Sequence, residues 1–196
     1  MKALLAAGLL LAAAVGCDRA ARGERVRPFA PWEAGRTLVY RDPADASGNR
    51  LQVRVARTED RPDGLRVTET FSTLSGQAQS MLRLKDGGAW LVLDASEARV
   101  LPAGFPDKVT EWTDRGLVNR VVGRGRPDLP GVTLPDPDAV GVWVESSPVQ
   151  GEGFRRRTLL LPDLGEVQTL TWRNGRWETT NILISQGFTD EREAVK

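Results

Sequence analysis

Glycine-bearing turns punctuate this chain at short intervals: Asp63-Gly64, Asp86-Gly87-Gly88, Asp114-Arg115-Gly116, Asp163-Leu164-Gly165 and Asn174-Gly175. Tight hairpins need backbone at positive φ, which Gly, Asn and Asp tolerate, and Asn-Gly is a preferred two-residue hairpin turn. Between the turns the chain alternates apolar with polar. Leu51, Val53 and Val55 share one face of Asn49–Arg57, and Leu65, Val67 and Phe71 share one face of Leu65–Leu74 with Glu69 and Thr73. Period-two alternation marks half-buried antiparallel strands. Further strands are expected over Arg36–Arg41, Gln79–Lys85, Ala89–Leu93, Lys108–Thr113, Leu117–Val122, Val140–Glu145, Phe154–Leu161, Glu166–Arg173 and Arg176–Gln186. One helical turn after Phe188, capped by Asp190 with Glu193 three residues on, is the only helix expected. The chain reads as all-β, an antiparallel meander of about ten strands in a curved half-barrel or sandwich.

Two stretches break the pattern. Leu101–Pro106 interrupts the strands. Residues 123–137 (GRGRPDLPGVTLPDP) are dense in Pro, which lacks a ladder donor, and read as a loop that covers the sheet.

The first seventeen residues, MKALLAAGLLLAAAVGC, place one charge (Lys2) before an apolar run that ends at Gly16 and the lone cysteine, Cys17. This is the order of a secretory signal, and the run is shorter than the roughly 20 apolar residues of a membrane-spanning helix. Ala14-Val15-Gly16-Cys17 resembles a bacterial lipobox. The resemblance implies that Cys17 takes a diacylglyceryl group and becomes the mature N-terminus, and more than one acyl chain suffices for stable anchoring. Cleavage near Ala14 as a plain signal peptide is the alternative, and it leaves Cys17 a free thiol. The expected organisation is a signal peptide (1–16), a lipidated cysteine and flexible tether (17–31), a single β domain (32–188) and a polar tail (189–196). The expected location is the cell envelope, lipid-anchored to the inner or outer membrane and facing the periplasm.

Composition removes several functions. The chain has 27 basic and 26 acidic residues, and Lys2 lies in the leader, so the mature protein carries no formal net charge. Such balance argues against a nucleic-acid binder that works by phosphate neutralisation. With no histidine and one cysteine, Ser-His-Asp and Cys-His catalysis, zinc sites built on His or Cys, and intrachain disulfides are all excluded. A chain without catalytic machinery, metal or cofactor is expected.

Candidate ligand-binding residues are Trp143, Arg156, Trp172 and Trp177. Indoles can line a pocket for a lipid, sugar or aromatic ligand, or simply fill a core and strengthen strand pairs. Alternation separates Arg156 from Arg155 and Arg157. On a concave face Arg156 can clamp a carboxylate or phosphate; on an edge strand it protects against aggregation. Glu145, Glu152, Asp163 and Glu166 are the candidate acids for glycan hydrolysis, which needs two carboxyls facing across a cleft. The run RTLLLPDLGEVQTLTWRNGRWETTNILISQG (157–187) resembles periplasmic β-sheet lipoproteins of the LolA/LolB-like type. That resemblance implies a strongly curved sheet wrapped around an apolar ligand. The expected function is binding of a partner protein or apolar ligand; docking by edge-strand pairing and, last, carboxylate hydrolysis of cell-wall glycan are the alternatives.

Overall fold

The computed structural model describes residues 28–94, 96–150 and 153–189. Cys17, Glu152 and the expected turn after Phe188 lie outside these residues. The described residues form twelve strands and no helix: β1 (Arg36–Arg41), β2 (Arg50–Arg61), β3 (Gly64–Thr73), β4 (Gly76–Lys85), β5 (Gly88–Val92), β6 (Glu97–Leu101), β7 (Glu111–Asp114), β8 (Leu117–Gly125), β9 (Gly141–Pro148), β10 (Arg156–Leu161), β11 (Gly165–Arg173) and β12 (Arg176–Phe188). All belong to one antiparallel sheet in the order β6-β5-β4-β3-β2-β1-β12-β11-β10-β9-β8-β7. Each half of the chain is a plain meander, and the first strand pairs with the last. Among the described residues no ladder joins β6 to β7, so the sheet is a nearly closed barrel whose seam lies in mid-sequence.

Local chemistry explains the hairpins. Asp86-Gly87, Arg115-Gly116 and Asn174-Gly175 each put two successive residues at positive φ, the geometry whose twist matches that of the flanking strands. Six ladders carry a register shift. An extra residue on one strand bends it and tightens its twist, which is how a sheet curls toward closure. β6 was not anticipated: Glu-Ala-Arg-Val-Leu is short and charged, as suits an edge. β7 is shorter than Lys108–Thr113, because the amides of Lys108 and Val109 close a turn on the Gly104 carbonyl instead.

Alternation buries the concave face. Val55, Val67, Leu84 and Ala89 from one wall meet Val142, Val144 and Leu160 from the other. Long connections gather at one end of the barrel and close it. Phe29 and Phe105 pack edge-to-face with centroids 5.1 Å apart, and Phe105 and Trp112 do so at 5.5 Å. The expected tether is therefore shorter than residues 17–31, since Ala30 is buried and Phe29 belongs to the core. Asp163 fixes this segment twice. Its amide donates to the Pro28 carbonyl (2.7 Å), and its Oδ1 accepts from Trp32 Nε1 (3.1 Å). The stretch 123–137 divides: Gly123–Gly125 extend β8, and the remainder covers the sheet as expected. Leu129, Val132, Leu134 and Ala139 share a cluster with Trp143, Leu159, Leu161 and Leu164, and Gln186 Nε2 donates to the Thr133 carbonyl (2.6 Å).

Gly165 and Gly175 separate backbone strain from crowding. Both lie in the left-handed region (φ +73 and +78), but a Cβ on Gly165 would stand 2.9 Å from Pro31 Cδ, whereas Gly175 has nothing within 4 Å. Left-handed backbone costs an L-residue about 1–2 kcal/mol, and overpacking adds about 1–3 kcal/mol. Gly175→Ala should therefore lower unfolding stability by about 1 kcal/mol and Gly165→Ala by at least twice that, read from urea unfolding. Equal losses would mean that the 28–32 segment is not seated on the β10–β11 turn.

Candidate functional site: the barrel lumen

Register along β10 decides where its arginines point. Arg156 stands opposite Ser146 and Thr171, Thr158 opposite Val144 and Thr169, and Leu160 opposite Val142 and Glu166. These residues share the concave face. Arg157 pairs with Glu145 and Leu170 on the other side of the sheet.

The concave face lines a half-open cavity of about 200 Å³. Leu82, Ala89 and Leu101 line one wall, Val144 and Leu160 the other, and Phe29 and Trp112 lie toward the closed end. Several of its polar groups are satisfied within the chain. Ser146 Oγ donates to Asn119 Oδ1 (2.7 Å), and Glu166 Oε1 accepts from Thr169 Oγ1 (2.5 Å) and Asn181 Nδ2 (3.3 Å). Three others are not: Arg156 Nε, Trp112 Nε1 and Thr158 Oγ1 are enclosed and have no hydrogen-bond partner. Two larger hollows, of about 400 and 490 Å³, lie among charged loop residues such as Asp42, Asp45, Asp63 and Lys85.

Beside the cavity the same face carries two buried ionisable groups. Glu69 sits between Val67 and Phe71, its one hydrogen bond coming from Ser80 Oγ (3.2 Å). Desolvation pushes its carboxyl up to about 7, against the smaller opposing pull of that bond. Tyr40 donates its hydroxyl to the Glu166 carbonyl oxygen (2.8 Å). Burial, then the negative charge of Glu166 and Glu69, hold the phenol well above its ordinary value.

The four residues singled out from sequence do not form one site. Arg156 faces the lumen. Trp172 and Trp177 meet on the convex side at 5.3 Å, opposite each other across the Asn174-Gly175 turn. Arg155 lies 5.5 Å from both indole centroids and Arg157 lies 4.3 Å from that of Trp177. Both guanidiniums also hold Glu145, at 2.7 and 2.8 Å. Burial by itself would raise the Glu145 carboxyl, but the hydrogen bonds and positive charge of the two arginines outweigh it and keep the group below its usual range. Trp143 is half-buried in the cluster that includes the covering loop. Trp112 and Thr158 were not picked out. Their signal was the alternation that sets Thr158 two residues from Arg156, and the aromatic second in the short strand β7, opposite Asn119.

The candidate acids also separate. Glu145 and Glu166 lie on opposite faces of the sheet, and Asp163 is engaged by Trp32. Among the described residues, no two of these acids face each other across a cleft. Among the described residues no cluster of three or more acidic, cysteine or histidine side chains is placed to hold a metal ion, and no helix is long and apolar enough to cross a membrane.

No family model and no curated protein matches this sequence. Two solved structures are similar. One is a Bacteroides fragilis protein, provisionally described as exported, with a YmcC-like fold; at 15% identity and a TM-score of 0.55 the match covers 82% of this chain and 99% of that one. The other is provisionally described as a lipoprotein from Parabacteroides distasonis, at 13% identity and a TM-score of 0.49, covering 84% and 100% of the two chains. At these identities the likeness is one of fold.

Glu69 gives the lumen a pH signature. A carboxyl whose folded value is raised makes the native state hold a proton that the unfolded chain releases. Stability is thus highest below the ordinary carboxylate value and falls as pH rises toward and past about 7. At about 1.4 kcal/mol per unit, the loss amounts to roughly 3 kcal/mol. Glu69→Gln, which retains an acceptor for Ser80, should flatten the dependence, so urea midpoints at pH 5 and pH 8 should differ less in the variant than in the parent. A parent protein equally stable at both pH values would place Glu69 in water.

Proposed function

We propose that this chain is a membrane-anchored envelope lipoprotein that acts by binding, holding an apolar ligand inside its barrel, and that it catalyses no reaction. The cavity on the concave face carries this reading. Its apolar side chains come from both walls of the barrel, and a concave, mostly apolar site with a few placed polar groups is the usual form of a small-molecule pocket. The curved sheet wrapped around an apolar interior also fits the LolA/LolB-like resemblance of residues 157–187, although here the closing groups are the Phe29 and Phe105 segments. The lipobox-like Ala14–Cys17, with its apolar leader, supports export and lipidation at Cys17, and a fold shared with a protein provisionally described as exported agrees with an envelope location. Docking by edge pairing is the weaker reading, because the seam edges β6 and β7 are only five and four residues long and short edges pair poorly.

Two measurements test it. Cys17→Ser should abolish metabolic palmitate labelling and move the protein out of the membrane fraction; unchanged labelling would end the anchor. The detergent-free Cys17→Ser chain should bind the neutral probe N-phenyl-1-naphthylamine with enhanced emission. Ala89→Phe, which fills the lumen, should remove at least nine-tenths of that signal, and Trp177→Ala on the convex side should leave it. Should Ala89→Phe fail to unfold cooperatively in urea, Ala89→Leu replaces it. Probe binding that survives in a folded, filled variant would place the ligand elsewhere.

A further inference from the structure

We infer that the lumen recognises the anionic head of a short single-chain amphiphile, with Arg156 as its charge partner and Trp112 and Thr158 as its hydrogen-bond donors. The inference deepens the lumen-binding reading above and rests on it. Arg156 forms neither an ion pair nor a hydrogen bond with any described residue, although its Nε is enclosed. Arg156 is half-buried, and a charged group drawn part-way out of water is ordinarily paired. Trp112 and Thr158 are each more than nine-tenths buried, line the same cavity and have no partner for Nε1 or Oγ1. Buried polar groups nearly always have a partner, and an orphan calls for a reason. Here three orphans share one cavity.

Their chemistry has one sign. Guanidinium and indole N–H groups only donate, and a threonine hydroxyl can donate. An occupant that satisfies all three presents acceptor oxygens, and the positive charge selects an anion: a carboxylate or a phosphate. Glu166, the carboxylate lining this cavity, is turned to Thr169 and Asn181 and does not neutralise Arg156. The apolar walls, Leu82, Ala89, Leu101 and Leu160, then take a hydrocarbon tail. Size limits that tail. About 200 Å³ is below the roughly 300–1,000 Å³ of sites for drug-sized ligands, so one short chain fits and a two-chain lipid does not.

Calorimetry on the full chain carrying Cys17→Ser, titrated with octanoate, octanol and acetate, tests both halves of the inference. Octanoate should bind at least tenfold more tightly than octanol, which lacks the charge, and than acetate, which lacks the tail. It should also shift the indole N–H resonance of Trp112, identified by its loss in Trp112→Phe. Arg156→Gln should weaken octanoate at least tenfold and leave octanol unchanged. Equal binding of octanoate and octanol, with Arg156→Gln inert, would overturn head-group recognition while leaving the apolar lumen site intact. Acetate as tight as octanoate would overturn the amphiphile. If neither octanoate, octanol nor the neutral probe engages the lumen, the binding reading and this inference fall together.

Discussion

Everything in this barrel depends on the pairing of its first strand with its last. Ten of the eleven ladders join strands consecutive in sequence and need only local turns, but β1 and β12 must meet across about 150 residues. Closing a flexible loop of that length costs roughly 4–5 kcal/mol in chain entropy, before either strand contributes a contact. The junction is fastened accordingly. Arg36, almost fully buried at the start of β1, donates to Gln186 Oε1 (3.0 Å), pairs with Glu33 and lies 4.5 Å from the Phe188 ring centroid. Thr37 and Thr189 share a hydroxyl bond (2.8 Å), and the Thr189 amide donates to the Gly35 carbonyl (2.9 Å). With β1 and β12 zipped, the two meanders become opposing walls. Only then do Val67 and Leu84 have Val142 and Val144 to pack against. The lumen is a product of this one long-range ladder.

Because closure occurs there, the open seam falls between β6 and β7, strands that adjoin in sequence. Their connection carries Phe105, which packs on Phe29 and Trp112. Seam and base are thus stabilised by the same aromatic stack, and the segment that precedes β1 takes part in it through Phe29. Pro28 is held at this closed end by the Asp163 amide. The opposite end carries the Ser75-Gly76, Arg115-Gly116 and Asn174-Gly175 turns together with the connections between Arg41 and Arg50 and between Pro148 and Arg156.

Sequence reveals most where one rule acts alone. The turn dipeptides and the alternation in β2 and β3 gave the class of fold, because each such strand has one buried face. Leu159-Leu160-Leu161 breaks alternation for a physical reason. Leu160 faces the concave core, while Leu159 and Leu161 belong to the cluster that includes the covering loop, so the strand is buried on both sides and reads as a continuous apolar run. β6 was illegible, since a charged five-residue edge carries little pattern. The N-terminal plug was misread for a related reason: Phe29 is one aromatic among charges, but two flanking prolines reduce the entropy lost when it is ordered. At the site, parity set Arg156 apart from Arg155 and Arg157 but left open which of the two faces is the concave one. That Arg156 lacks a partner could not follow, because the opposite wall and the closed end decide it, and both are brought in by long-range closure.

A barrel held without disulfides gains stability mainly by burying apolar area, so polar groups on its inner face need a physical reason. Some on this inner face have one: Ser146 and Asn119 bond each other across β8 and β9, and Glu166 ties β11 to β12 through Asn181. Each adds a link between neighbouring strands. Arg156, Thr158 and Trp112 add no such link, and for a chain selected only to fold, apolar residues of similar volume would serve better at the first two positions. The inner face therefore contains two populations of polar groups that differ in bonding rather than in burial. One population closes the barrel. The other is directed at the space the barrel encloses.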